Sequence, residues 1–573
     1  MAVHNSDIAA LFYRIAELLE IEGANPFRIR AYRRAAATVE NLPEPAARLI
    51  AKGTDLTELP AIGDDLAGKI KEICATGQLQ ALKAVEARTP PALLALSALP
   101  GLGPKRIWAL YQQLGVTSVQ DLAKAASEGR VRALPRFGAA FEAKLLKAAL
   151  ASPTPTTPRF KISTAEDFAL PLAHYLATLP DVSEVVMAGS YRRRKETVGD
   201  LDILAISAKG QATIDRFVAY DEVVQILGKG TTRSTVVLRC GLQVDLRVVT
   251  AQSYGAALVY FTGSKAHNIA LRRLAQTKGL KISEYGVYKG AKRIAGRTEA
   301  EVYQAVDLPW IAPELREDRG EIDAALADQL PQLVERDQVR GDLHVHSRAS
   351  DGTNTIAEMV SAAKARGYDY LAIADHSKHA TIAHGLDAGR LSAQIDEIDQ
   401  INAADPGIKV LKSCEVDILK DGQLDLPNAL LSRLDLVIGA VHSELDLSLE
   451  AQTTRVLRAL DNPHLKILAH PTGRLIGERP PYPIDLDRVM QAMKVRGQWM
   501  EINAHPSRLD LNDVHIRAAK DMGLRLAIGS DAHSTGGLGM IGYGVDQARR
   551  GWLEAGDVIN TRTWPELQAL LRA

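Results

Sequence analysis

Between Asp342 and His533 the chain repeats one device: a short apolar run that ends in a histidine or a carboxylate, followed by a helical stretch. "DLHVHS", "YLAIADHS", "KVLKSCEVD", "LVIGAVHS", "KILAHP", "WMEINAH" and "RLAIGSDAH" are seven such runs. Apolar strands separated by helices build a parallel sheet, because each parallel pair needs a crossover. If that sheet closes, polar residues at every strand's C-terminal end converge on one rim. The spacing therefore predicts a (β/α) barrel with a site on that rim. His344 and His346 leave one face of a strand end at a spacing suited to one metal. Later strand ends add Asp351, His376, Glu415, His442, His470, Asp531 and His533. A lone histidine is more often a satisfied structural residue, but nine ligand-type side chains at strand ends of one pattern read as a metal centre. Such mixed imidazole and carboxylate sets suit Mn²⁺, Zn²⁺ or Fe²⁺ rather than Mg²⁺. His379, His384, His464, His505 and His515 are read as loop or surface residues.

The rest of the chain is different. Of 14 histidines only His4, His174 and His267 precede residue 316. Lys and Arg outnumber Asp and Glu by 40 to 31 up to residue 315, and are outnumbered 29 to 38 after it. A basic front and an acidic rear point to a polyanion-binding part joined to a metal-binding part; the alternative is drift between two solvated surfaces. At 573 residues the chain is too long for one core. It has no apolar run of about 18 residues, so no membrane is expected. The N-terminus lacks the pattern of a signal peptide, and Cys74, Cys240 and Cys414 are far apart and odd in number, which fits the reducing cytoplasm.

Residues 1–150 read as short helices punctuated by Gly and Pro. "ELPAIGDDLAGKIKEI" and "SALPGLGPKRIWALYQQLG" share one plan, a tight Gly-containing turn that opens a helix, and "ALPRFGAAFEAKLL" is a degenerate third copy. Such turns expose backbone N–H groups that hold a phosphate without reading bases. "ASPTPTTPRF", Ala151 to Phe160, is a linker or an extended crossing. From Val182 the pattern becomes mixed α/β, and the highly charged stretch from Glu314 reads as a second connector with a surface helix.

"AGSYRRRKETVGDLDILAIS" carries a second chemistry. Asp200 and Asp202 are two apart on a strand, so their side chains share a face at about 6.5 Å along the chain. Two carboxylates so placed bridge paired Mg²⁺ (or Mn²⁺) ions for in-line phosphoryl displacement. Gly189 and Ser190 make a turn whose backbone and hydroxyl can hold a triphosphate, with positive charge added by Arg192 to Lys195. Asp245, in "LQVDLRVV", is offered as a third carboxylate on a neighbouring strand.

These residues resemble the family X DNA polymerases of the nucleotidyltransferase superfamily, and "YFTGSKAHNIALRRLAQTKGLKISEYGVY" is similar to that family's nucleotide-selecting segment. The resemblance implies that Ser190, Arg193 and Gly199 contact the triphosphate, that Tyr260, Phe261 and Gly263 lie against the sugar, and that Asn268 and Arg272 approach the base pair. Lys265 stands where the best-known vertebrate member is acidic, which implies stronger binding of free nucleotide. The two Gly turns resemble helix-hairpin-helix modules, with Ala61 replacing the first Gly of the first copy. Lys69 falls where lyase-competent members carry a Schiff-base lysine, although Asp65 replaces one of their phosphate-binding lysines. The strand-end ligands resemble the polymerase and histidinol phosphatase (PHP) domain, a distorted (β/α)₇ barrel with three divalent metals. That resemblance assigns one metal to His344, His346, Glu415 and Asp531, a second to Glu415, His442 and His470, and a third to Asp351, His376 and His533.

The expected architecture is multidomain α and α/β: a helical domain at 1–84, a second helical DNA-binding subdomain at 85–155, a nucleotidyltransferase palm at 156–254, a thumb at 255–315, a linker at 316–337 and the PHP barrel at 338–573. The function implied is gap-filling DNA polymerisation in repair with 3′→5′ exonuclease activity, and with abasic-site endonuclease, 3′-phosphatase and 5′-deoxyribose phosphate lyase activities as further candidates. The expected partners are gapped or primer-template DNA and deoxynucleoside triphosphates, and the expected state is a cytoplasmic monomer. The alternative is a small-molecule nucleotidyltransferase fused to a histidinol-phosphatase-like phosphoesterase.

Overall fold

The computed structural model describes residues 3, 5–40, 42, 46–99, 101–135, 137–151 and 159–572. Most of the Pro- and Thr-rich linker expected at 151–160 lies outside the described residues. The chain divides into two compact units, Met1–Pro158 and Arg159–Ala573.

The first unit is helical. Helices Asn5–Glu22, Pro26–Glu40 and Asp64–Thr76 close one core around Phe12, Leu19, Tyr32 and Ile70, and a second core gathers Leu96, Ile107, Leu122 and Leu145. Each clear Gly turn opens a helix as the sequence implies: Gly63 precedes Asp64–Thr76, and Gly103 precedes Pro104–Leu114. Ala61 adopts the left-handed backbone (φ +60°) that Gly101 adopts in the second copy (φ +86°). The substitution thus keeps the turn, at a cost of about 1–2 kcal/mol.

The second unit holds three sheets that matter for function. In the first, five strands run in the order Val182–Met187, Asp200–Ser207, Gln243–Val249, Arg233–Leu238, Val223–Lys229, with only the Asp200–Ser207 and Gln243–Val249 pair parallel. Leu201, Ile203 and Ala205 pack with Phe168, Leu172 and Phe217 of the covering helices. By strand alternation Asp200, Asp202 and Leu204 take the opposite face, where Leu204 meets Ala257 and Leu258 of helix Tyr254–Thr262. That helix begins a second subdomain, with helix Lys265–Thr277 and the antiparallel strands Leu280–Ser283, Gly286–Lys289 and Lys292–Ala295.

The third sheet is the barrel. Seven parallel strands follow chain order: Gly341–Val345, Tyr370–Ile373, Lys409–Asp417, Leu436–Ala440, Leu465–Leu468, Trp499–Asn503 and Leu526–Gly529. The last meets the first through a Val345–Ala532 bridge and the Asp531 N–H bonded to the His344 carbonyl at 2.9 Å, which nearly closes the ring. Leu343, Ala372, Leu411, Ile438, Ile467 and Ala527 form one cluster, while the alternating Leu371, Val410, Val437, Leu468 and Ile528 pack in another with the surrounding helices. Both faces of every strand are therefore buried, which explains the continuous apolar runs.

The connector expected at 316–337, with its surface helix, is instead packed. Arg316 and Glu321 are fully buried. The Arg316 guanidinium donates to Glu299 Oε1 at 2.7 Å and to the Ile311 carbonyl, and Glu321 accepts backbone N–H groups of Asp318 and Arg319 while meeting His267 Nδ1 at 2.6 Å. Hydropathy counts these side chains as solvated because it cannot see their partners. Farther on, Val334 donates to the Leu553 carbonyl. The barrel also reaches into its neighbours: Leu509 lies in the core of the five-stranded domain, and Trp552 in that of the second subdomain. No described helix is long and apolar enough to cross a membrane.

Candidate functional site

The first centre sits on the open face of the five-stranded sheet. Parallel pairing places Asp202 opposite Asp245 and Asp200 opposite Gln243. The third carboxylate is thus the immediate lateral neighbour of the second. Asp245 accepts from Thr235 Oγ1 and from Gln243 Nε2 (2.9 Å), which fixes its rotamer. Burial first, then the neighbouring Asp200 and Asp245, pushes Asp202 up to about 7, and burial with Asp245 raises Asp200. Three carboxylates crowded in one cleft repel one another, and divalent cations relieve that repulsion.

Gly189 closes over this group with φ +60°, and a Cβ there would stand 2.3 Å from Asp202 Oδ2. The turn's glycine is therefore needed twice, for its backbone and for the approach. The basic run that follows is not the free phosphate patch its composition implies. Arg192 pairs with Glu299 (2.8 Å), Arg193 with Glu317 (3.0 Å) and Arg194 with Asp546. Arg193 also donates to the Thr262 carbonyl at 2.5 Å, which ties the turn to the end of helix Tyr254–Thr262. Tyr260 and Phe261 pack edge to face at 5.0 Å, and Arg247 lies over the Phe261 ring. Asn268 donates to the Tyr260 carbonyl and Arg272 to the Asn268 carbonyl. Gly263 ends the helix at φ +66°, and Lys265 is exposed at the first turn of the next one, capped by Ser264. Lys69, in the helical unit, is paired with Asp65, the residue that stands in place of a phosphate-binding lysine.

The second centre is the barrel rim, where all nine expected ligands meet. Glu415 lies in the middle. Its Oε1 faces His470 Nε2 (2.8 Å) and His442 Nε2 (3.3 Å), while Oε2 faces His376 Nδ1 (2.8 Å), His344 Nε2 (3.5 Å) and His346 Nε2 (3.8 Å). Asp531 Oδ1 stands 3.1 Å from His346 Nε2, and Asp351 3.3 Å from His533 Nε2. Three groups of ligand atoms converge: His344, His346 and Asp531; His376, Glu415 and His442; and His346, Asp351, His376 and His533. These groups depart from the expected sets: Glu415 falls with His376 and His442 instead of with His344, His346 and Asp531, His470 is in none of them although it meets Glu415, and His346 and His376 each stand between two groups. His344, Glu415 and His470 are fully buried and Asp351 is exposed, so the cluster runs from floor to mouth.

Several of these atoms, His344 Nε2, His346 Nδ1, His442 Nε2 and Glu415 Oε2 among them, are buried without a hydrogen-bond partner. They approach one another outside hydrogen-bond geometry, an arrangement that cations between them satisfy. Burial alone would lower His442 and His533, but Glu415 and Asp351 overcome it and raise them to about 10 and about 9.

Three supporting carboxylates escaped the sequence reading. Glu501 Oε1 meets His344 Nδ1 at 2.7 Å while Oε2 accepts the His470 backbone N–H at 2.6 Å. Asp417 meets His442 Nδ1 at 3.1 Å. Asp375 takes hydrogen bonds from Ser347 and Ser350 and so anchors the loop that carries Asp351. Such groups orient ligating imidazoles. The available signal was a lone carboxylate inside an otherwise apolar strand, as in "WMEIN". His379, His384, His464 and His515 stay outside the cluster, while His505, expected at a loop or surface, is half-buried beside it and feels the charges of Asp531 and His533.

A carboxylate centre on a five-stranded sheet, joined to a histidine-rich parallel barrel, defines a class: a nucleotidyl-transfer enzyme fused to a metal-dependent phosphoesterase. Family models agree region by region. The chain matches a helix-hairpin-helix domain at 3–79, a SAM-like helix-hairpin-helix tandem at 93–150, the DNA polymerase beta palm at 158–254, the DNA polymerase beta thumb at 257–317 and the PHP domain at 342–505. It is 37% identical to the DNA polymerase/3′-5′ exonuclease PolX of Bacillus subtilis over 100% of both chains. A probable phosphatase of Thermoanaerobacter is 31% identical over 38% of this chain and 89% of its own length, and DNA polymerase lambda of Arabidopsis thaliana is 25% identical over 54% and 62%. The chain belongs to the family X DNA polymerases that carry a C-terminal PHP domain.

Proposed function

We propose that this polymerase fills short gaps during DNA repair, adding deoxynucleotides at Asp200, Asp202 and Asp245 and removing 3′-terminal nucleotides at the barrel rim. The observation that carries the first activity is the register of Asp202 against Asp245 beneath the Gly189 turn. Residues 1–84 and 85–155 hold the DNA backbone through their Gly turns, 156–254 perform the chemistry, 255–315 select the nucleotide and 338–573 degrade. Ser190, Arg193 and Gly199 hold the triphosphate; Tyr260, Phe261 and Gly263 pack against the sugar; Asn268 and Arg272 reach the base pair; Lys265 strengthens capture of free nucleotide. Asp245, braced by Thr235 and Gln243, receives the proton of the primer 3′-hydroxyl.

Asp200, Asp202 and Asp245 offer only oxygen ligands, which suits Mg²⁺ or Mn²⁺, whereas the rim's imidazoles suit three ions of Mn²⁺, Zn²⁺ or Fe²⁺. When bound, such cations supply Lewis acidity at the phosphorus under attack. The protein's own part is to fix the carboxylates, to seat Glu415 between two sets of imidazoles and to hold the DNA end at the mouth formed by Asp351 and His533. The lyase activity is not carried into this reading, because Asp65 occupies Lys69. Three free cysteines fit a cytoplasmic enzyme, and a monomer suffices because each centre is complete within one chain.

The test is a primer-extension and degradation assay on gapped DNA. Asp202→Ala should abolish addition and keep degradation, and Glu415→Ala should do the reverse. Addition by Asp202→Ala within about tenfold of the parent contradicts the assignment.

A further inference from the structure

The helix Ile541–Arg550 of the PHP barrel lies against the Ser190–Lys195 turn of the palm. Arg550 Nη1 donates to the Arg193 carbonyl at 2.5 Å and to Glu317 Oε1 at 3.1 Å. The same Glu317 oxygen accepts from Arg193 Nε at 3.0 Å. Gln547, three residues earlier, donates to the Arg194 carbonyl at 3.2 Å, and Asp546, four residues before Arg550, takes the Arg194 guanidinium at 2.7 Å. Residues three and four apart share one helix face, so this face grips two consecutive carbonyls of the turn and the Arg194 side chain, and reaches the Arg193 side chain through Glu317. Arg550 is 3% exposed and its other arm is held by Asp513, which also pairs with Arg319. Neither arm is free to leave. Two further contacts, Glu196 to Arg474 (2.7 Å) and Tyr543 to Glu166 (2.5 Å), tie the barrel to the palm beside this turn.

We infer that Arg550, with Gln547 beside it, is a positioning residue of the polymerase centre: the nuclease domain sets the backbone of the triphosphate-holding turn and, through the shared Glu317, the Arg193 guanidinium. The inference rests on the reading of that turn as the triphosphate holder. Its physical basis is that a short turn opened by a left-handed glycine has little stiffness of its own, whereas charge-assisted bonds from a buried guanidinium fix it at low dielectric. A nucleotide would otherwise have to order the turn itself, and that cost would appear in its affinity. Arg550 is buried among its partners and acts through Glu317 and the Arg193 carbonyl.

The test compares full-length parent, Arg550→Lys, Gln547→Ala and Arg193→Ala, measuring KM and kcat for deoxynucleotide on one-nucleotide gaps, with 3′→5′ degradation of single-stranded DNA read in parallel. Arg550→Lys should raise KM by about tenfold and change kcat by less than about threefold, with degradation unaltered. Gln547→Ala should move KM the same way by a smaller factor and decides the matter if Arg550→Lys does not fold. Parallel loss of both activities with KM unchanged marks a purely structural role and overturns the inference. Unchanged KM in both barrel variants beside a raised KM in Arg193→Ala also overturns it, leaving the triphosphate reading intact. Unchanged KM in Arg193→Ala removes that reading and the inference with it.

Discussion

Gly189→Ala isolates the contact on which the polymerase centre depends. A Cβ at this position would stand 2.3 Å from Asp202 Oδ2 and 3.2 Å from its Cγ. Ordinary carbon–oxygen contact lies about 1 Å farther out, so the carboxylate has to swing away by about that distance. A misplacement of about 1 Å in a reacting constellation costs about 10²-fold in rate. The backbone adds its own strain, since φ +60° costs a residue other than glycine about 1–2 kcal/mol. Single-turnover addition to a one-nucleotide gap should therefore fall by about 10²-fold or more while gapped-DNA binding and 3′ degradation persist. Gly189→Asn separates the causes. Asparagine tolerates the left-handed region, which relieves the strain, yet it still carries a Cβ. It should be as impaired as the alanine variant. Activity within about tenfold of the parent in Gly189→Ala, or recovery in Gly189→Asn, would refute the argument that displacement of Asp202 is what matters.

Glu299 is buried, which by itself raises its carboxyl, but hydrogen bonds and charge from Arg192 and Arg316 bring it from the ordinary 4.5 to about 2. Its contribution, about 3 kcal/mol, is present above the unfolded value and lost as pH falls from 4.5 toward 2. Glu299→Gln should lower the thermal midpoint at pH 7 and flatten the acid limb of the stability curve; an unchanged acid limb contradicts the ion pair. Glu501→Gln should weaken metal binding at the rim by about 10–100-fold in a metal titration, because the His344 ring loses its orienting carboxylate; unchanged affinity would show that the ring is held by packing alone. Lys265→Asp should weaken binding of free deoxynucleotide by about tenfold or more and Lys265→Gln by less. Equal affinity in both variants marks the lysine as merely solvated.

Much of both centres could be read from the chain because each rests on local periodicity. Strand alternation puts Asp200 and Asp202 on one face whatever surrounds them, and strand-then-helix repetition delivers His344, His376, Glu415, His442, His470 and Asp531 to one rim. The turn chemistry of Gly63, Gly103 and Gly189 is local in the same sense. The lateral neighbour of Asp202 was less secure, because the register that brings Asp245 beside it is set by sheet order and not by either strand alone.

Partnership over long sequence separation was decided only by the tertiary structure. The run Arg192 to Lys195 reads as a free cationic patch, but its guanidiniums are paired with Glu299, Glu317 and Asp546, more than a hundred residues away, and Glu317 is shared between Arg193 and Arg550. The stretch from Arg316 reads as a solvated connector, yet Arg316 and Glu321 are buried because Glu299 and His267 meet them there. Glu501 reads as a blemish in an apolar strand and proves to hold His344. The physical reason is common to all three. Charge and hydropathy are properties of single residues and short windows, whereas the cost of burying a charge depends on what stands within about 4 Å of it. The sequence alone therefore picked out most of the candidate side chains of each centre, and the partners that the fold brings up from distant parts of the chain determined which charges are free to act.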